Sequence, residues 1–155
     1  MKKLLFLLLF PIFCFAQSGD DYYNQAKSKH NIKDYYSAIN NYDKSIKIWS
    51  DNSNDNYSLS KNLGLAYDGK ARCYFSLKNY SKALENINKA ISLTPNDKDC
   101  HHLRGLIKNQ AGGAGIYSSP CLDFYKAAQL GHEKAKQLYK MMNGNPDFSR
   151  IYGCY

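Results

Sequence analysis

Between Tyr67 and Pro95, the large residues Tyr67 and Tyr74 flank a small Ala71, and Tyr80 follows a polar break. Ala83, Ile87 and Ala90 then recur at intervals of four and three, leading to Leu93 and Pro95. Intervals of three and four place residues on one face of a helix. Two antiparallel helices approach closely only where small residues sit at the crossing and bulky ones fill the space beside it. Residues 67–95 therefore predict helix, turn, helix. The second helix stops at Leu93, because Pro95 has no backbone donor and disfavours helix at Thr94. The same four-then-three spacing joins Ala38, Tyr42 and Ser45 upstream and Cys121, Tyr125 and Ala128 downstream. One packing unit is thus written three times.

These residues resemble the tetratricopeptide repeat, a helix-turn-helix unit of about 34 residues that stacks into solenoids. The resemblance runs from about residue 20 to residue 142, with repeats over 20–50, 57–95 and 97–131 and a capping helix over 132–142. It implies an all-α fold, a short right-handed solenoid of about three repeats plus a C-terminal cap. In the first unit Tyr22, Ala26 and Lys29 stand at the first helix's large, small and large positions, and Tyr35, Ala38, Tyr42, Ser45 and Ile48 continue the second helix. In the third, Gly105 aligns with Ala71 and Ala26, and His101 takes the aromatic position. From Ala38 to Ala83 is 45 residues, about 11 more than the family period. The excess lies in the polar run Ser50–Asn56, read as a solvated connector plus an early start to the next helix.

Residues 111–115, Ala-Gly-Gly-Ala-Gly, form a flexible break, and Gly131 is placed to cap a helix C-terminus. The segment Ala127–Ala135 resembles the Sel1-like variant of the same superfamily. Ala135, Leu138, Tyr139 and Met142 form an apolar stripe, as a capping helix requires. Residues 143–155 are read as a tail.

Met1-Lys2-Lys3 followed by the apolar run Leu4–Phe15 and Ala16 reads as a signal peptide over residues 1–16, too short to span a membrane. Cleavage after Ala16 would leave Gln17 first and lower the net charge from +8 to +6, since Lys2 and Lys3 leave. The expected location is periplasmic or secreted. A lipid anchor on Cys14 is disfavoured, because Phe13 stands where a small residue is wanted. The lysines are scattered, with no run of three, which argues against a nucleic-acid partner.

Four cysteines remain after cleavage: Cys73, Cys100, Cys121 and Cys154. An even number in an exported chain favours disulfides, with three connectivities open. Chains resembling this one often end in a Cys with another at the Cys121 position, which implies Cys121–Cys154. Cys73 and Cys100 lie on successive first helices and form the second candidate pair, although at different heights in the repeat.

No catalytic or metal-binding pattern is recognisable, and no cofactor is implied. Cys100-His101-His102 are adjacent on a helix and point about 100° apart, so they cannot share one small ion. The glycines at 112, 113 and 115 lack the Lys-Ser/Thr of a phosphate loop. Arg104 and Asp123 are expected to form a partly buried, structural ion pair between the two helices of the third unit.

The family resemblance implies that the first helices line a concave groove for an extended peptide or a partner helix. The register assigns to that face Tyr23, Lys27 and His30, then Asp68, Arg72 and Phe75, then His102 and Leu106. Lys27 and Arg72 occupy equivalent positions and suit a carboxylate. The family's carboxylate-clamp pattern wants Asn where Gly69 stands and Lys where Asp99 stands, which argues against a chaperone-tail clamp. The functional expectation is a non-enzymatic, exported interaction module. The alternative is a structural subunit of a cell-envelope complex.

Overall fold

A computed structural model of the chain describes residues 17–51, 57–112 and 119–144. The described residues form seven helices: α1 (Gly19–Asn31), α2 (Tyr35–Asp51), α3 (Tyr57–Ser76), α4 (Tyr80–Leu93), α5 (Lys98–Gln110), α6 (Pro120–Gln129) and α7 (Glu133–Asn143). Each packs on the next as a short helical solenoid, and α3 also touches α1 and α5. None of the described helices is long and apolar enough to cross a membrane.

The helix starts are set by capping side chains. Ser18 and Asp21 form a reciprocal capping box on α1, Asn79 accepts from the Lys82 N–H, and Asp97 accepts from the N–H groups of Asp99 and Cys100. The turn inside each unit reuses one backbone device. Lys33, Lys78 and Gly112, each seven residues beyond the small position of its unit, have φ of 63°, 59° and 96°. This left-handed residue lets the next N–H reach back to the preceding helix, Asp34 to Lys29 O and Asn79 to Tyr74 O, both at 2.9 Å.

The core runs through the small positions in three successive clusters. Ala26, Ala38, Ser45, Ala71, Ala83, Ile87 and Ala90 are wholly buried, and Tyr42 nearly so. Gly69 exists for a packing reason: a Cβ there would run into the Tyr42 ring, so α3 rides directly on an aromatic of the first unit. Gly19 makes the same allowance for the Trp49 indole.

The third unit corrects the expected register by one residue. Pro120, Phe124 and Ala127 are buried, whereas Tyr125 is 43% exposed and Ala128 is only half-buried. The four-then-three spacing survives, but starts at Pro120 rather than Cys121. Phe124-Tyr125 and Ala127-Ala128 are doublets that satisfy either register; the decision comes from Gly105, where a Cβ would lie 2.6 Å from the Phe124 ring. Phe124 fills the space that this glycine leaves open.

The proposed pairing of Cys73 with Cys100 is wrong: both are buried free thiols. Cys73 belongs to the cluster shared with the first unit and Cys100 to the cluster shared with the third, so they face opposite neighbours. Burial pushes the Cys73 thiol up to about 12 and raises that of Cys100 as well. Cys121 is disulfide-bonded. Cys154, Cys14, the Ser50–Asn56 run beyond Asp51, residues 113–118 and the tail beyond Gly144 lie outside the described residues.

Candidate functional site: the face of the first helices

The residues expected to line a groove lie on α1 (Tyr23, Lys27, His30), α3 (Asp68, Arg72, Phe75) and α5 (His102, Leu106), with the Asp68–Arg72 pair on the middle helix. Arg72 Nε donates to Asp68 Oδ2 at 2.7 Å, one helical turn apart. Burial raises the Asp68 pKa, and Arg72 opposes that shift. Burial also works against the Arg72 charge, and the pair with Asp68 more than offsets it. The Cys100 thiol of α5 lies 4.0 Å from Asp68 Oδ1 and closes the third side.

Titratable groups on both neighbouring helices are shifted, chiefly by burial. Burial raises the Tyr23 phenol, with Asp68 acting in the same direction. Burial lowers the His30 pKa, with Arg72 adding to it. His102 is lowered to about 4 by burial and then by His132, with Arg72 also contributing. Asp68 and Arg72 thus lie on the helix between the one that carries Tyr23 and His30 and the one that carries His102.

The expected residues divide by what they touch. Tyr23 is half-buried between the Tyr42 and Trp49 rings, at 5.8 and 5.7 Å. Phe75 leans on Tyr80 at 6.0 Å, and Leu106 packs against the C-terminal core. These three serve packing as well as surface. Lys27 is exposed, its Nζ 5.7 Å from the Tyr23 ring centroid. His30 meets the edge of Tyr35 at 5.7 Å. His102 stacks on His132 at 4.0 Å. The Ala135 N–H donates to His132 Nδ1, which places that ring's proton on Nε2, 3.4 Å from Asp99 Oδ1.

The expected Arg104–Asp123 pair is present and lies in the seam between α5 and α6. Arg104 donates to Asp123 Oδ1 from Nε and Nη2, at 2.8 and 2.6 Å, and to Asn88 Oδ1 from Nη1 at 2.9 Å. Sequence reasoning missed a second cation. Lys108, 7% exposed, meets Asp123 Oδ2 at 2.6 Å, and Asp123 itself is 2% exposed. Lys108 lies one turn after Arg104, and that i, i+4 spacing was the available signal. His101, expected at an aromatic packing position, is buried there and donates from Nε2 to Pro95 O at 2.8 Å.

A cleft of about 360 Å³ opens at the other end of α3, and it too went unread in the sequence. Its α3 wall is Tyr57, Lys61, Gly64, Leu65 and Asp68, and its floor is the α4–α5 turn from Leu93 to Asp97. Positions 57, 61, 65, 68 and 72 form one i, i+3/i+4 stripe, so the cleft continues the Asp68–Arg72 face towards the start of α3.

Residues 64–97 match the family model described as "Tetratricopeptide repeat". The photosystem I assembly protein Ycf3 of Synechococcus sp. (strain CC9605) is 30% identical over 108 residues, covering 70% of this chain and 58% of the relative. The Prochlorococcus marinus (strain MIT 9211) protein of that name is 28% identical over 135 residues, covering 84% and 73%. The chain thus spans little more than half the length of the Synechococcus relative. Among solved structures, MamA from Desulfovibrio magneticus RS-1 superposes with a TM-score of 0.65 at 21% identity, over 88% of this chain and 70% of that one. The first tetratricopeptide domain of Spaghetti (RPAP3), solved bound to the HSP90 peptide SRMEEVD, superposes at 0.62 with 17% identity, over 86% and 92%. The chain carries a tetratricopeptide repeat at residues 64–97, and its described residues form a short helical solenoid like those structures.

Proposed function

We propose that the protein is a non-enzymatic scaffold that holds an extended segment of a partner protein against the α1–α3–α5 face. The observation that carries this reading is the face itself: α3 touches both α1 and α5, and the Asp68–Arg72 pair lies on this middle helix. Two similar proteins support it from outside: one solved with a peptide bound, the other named for the assembly of a protein complex. What transfers is the holding of a protein partner, without the identity of either ligand.

On the same reading the chain is exported. Residues 1–16 are a cleaved leader, 17–142 the repeat domain with a Sel1-like segment before the cap, and 143–155 a tail joined through Cys121–Cys154. Two observations support the disulfide: Cys121 is disulfide-bonded, while Cys73 and Cys100 are free. Peptide mapping without reduction should find Cys121 joined to Cys154; Cys121 joined elsewhere contradicts the pairing. Intact mass of the mature protein should correspond to a chain starting at Gln17, and retention of residues 1–16 would remove the export reading. The scaffold reading itself is tested by crosslinked capture from the envelope fraction. Lys27→Glu with Arg72→Glu should abolish recovery of the partner that wild type captures, and unchanged recovery rules out the groove as the binding face.

A further inference from the structure

The cleft at the start of α3 is built by residues that the repeat itself does not need. The matched repeat begins at residue 64, whereas α3 begins at Tyr57 and runs for 20 residues, against 13 in each of α1 and α5. The extra length between the first and second units therefore adds two helical turns to α3. Those turns supply Tyr57 and Lys61 to the cleft wall. Gly64 brings this wall onto the α4–α5 turn, since a Cβ there would lie 2.9 Å from Thr94 Cγ2. The extension thus shapes a surface as well as bridging two repeats.

The cleft is apolar at its centre, with Lys61, Asp68 and Asp97 as its charged residues. Leu65, Leu93 and Pro95 line it, and Leu65 is 38% exposed, a large apolar side chain left open to water. Its volume lies near the lower end of the range for small-ligand pockets, about 300–1,000 Å³. Both carboxylates in the lining are committed elsewhere. Asp68 is paired with Arg72, and Asp97 caps α5 by accepting two backbone N–H groups. Lys61 is exposed and takes part in none of the ion pairs among the described residues. It is the one cation of the lining among the described residues, and it points its charge into solvent. Arg72 and Lys27 carry the same sign onward along the face.

We propose that this cleft is a specificity pocket of the groove, taking an apolar side chain of an extended partner segment whose neighbouring carboxylate is held by Lys61. The inference rests on the scaffold reading above and adds to it the partner's chemistry: an aliphatic or aromatic anchor beside Asp or Glu. The anchor would cover Leu65 and Leu93, and burial of that surface supplies the affinity. The Lys61–carboxylate contact supplies the choice of sequence.

The test uses immobilised heptapeptides, their central residue varied over Leu, Phe and Ser, and the next two positions over Glu and Lys. Wild type should bind best where Leu or Phe precedes Glu. Lys61→Glu and Leu65→Glu should each weaken that binding at least about tenfold, the loss expected for one charged hydrogen bond or for a charge placed in an apolar contact. Both positions face solvent, and circular dichroism checks the fold; if Leu65→Glu misfolds, Leu65→Gln replaces it. Preference for the Lys peptides, or no peptide bound, overturns the proposal. Weakening by Arg72→Glu with none by Lys61→Glu also overturns it, but leaves the scaffold reading standing.

Discussion

The second and third units carry the same kinds of charged residue on opposite sides of their first helix. In the second unit, Asp68 and Arg72 face outward from the α3–α4 seam. That seam is held by Ala71, Ala83, Ile87 and Ala90, with Tyr67 and Tyr74 beside them. In the third unit the charges occupy the seam, where Arg104 and Lys108 close on Asp123, and the outward face keeps His102 and Leu106. The Arg72 and Asp68 side chains are 40% and 17% exposed, against 24% and 3% for Arg104 and Asp123. On the proposed reading, position in the repeat decides which pair is available to a partner and which is committed to structure. Charge in the groove should govern binding and hardly affect stability, and charge in the seam should do the reverse.

The largest effect should come from the seam. Asp123→Ala leaves two cations facing a buried site and should cost about 3–5 kcal/mol in urea unfolding. Arg104→Met should be milder than Arg104→Ala, because the methionine refills the space while the alanine adds a cavity. Asp68→Ala in the groove should cost about 1 kcal/mol or less, since Arg72 can turn to water. Equal losses for Asp68→Ala and Asp123→Ala would break the comparison.

Ile87→Ala probes the apolar seam, where nothing polar shares the load. It should cost about 2–5 kcal/mol. Gly69→Ala follows at about 1–3 kcal/mol, because its Cβ must displace the Tyr42 ring. Gly105→Ala should cost a similar amount through Phe124, and a neutral result there would remove the reason given for the register of α6.

A smaller effect should appear with pH. His102 is held at about 4 in the folded chain, against 6.5 for a free histidine. Between those values the unfolded chain binds the proton and the folded chain does not, so stability falls as pH drops from 6.5 towards 4. His30 is lowered by burial and acts in the same direction. His102→Gln should flatten the melting temperature across that window, and an unchanged slope would exclude His102 as its source.

Much of this scaffold is legible from spacing, and the failures have physical causes. The end of α4 at Leu93, the cap at Asp97 and the positive φ of Gly131 follow from Pro, Asp and Gly acting locally. The Arg104–Asp123 pair follows from repeat register. The one-residue shift in α6 was not legible, because both doublets offer an apolar residue to either register and only the shape of Phe124 above Gly105 chooses between them. Free Cys73 and Cys100 were misread because cysteine parity says nothing of which cluster each side faces. The early start of α3 is legible from the run Ser50–Asn56, but the cleft is not, because its floor is the Leu93–Asp97 turn, which spacing along α3 does not place.

The most direct test of the central claim measures binding and stability on the same two variants. Arg72→Glu should weaken capture of the partner by at least about tenfold while shifting the unfolding free energy by no more than about 1 kcal/mol. Arg104→Met should keep partner affinity within about twofold of wild type, since a site outside the contact leaves binding energy nearly unchanged. If Arg104→Met abolishes capture while Arg72→Glu leaves it intact, the face of the first helices is not where the partner binds.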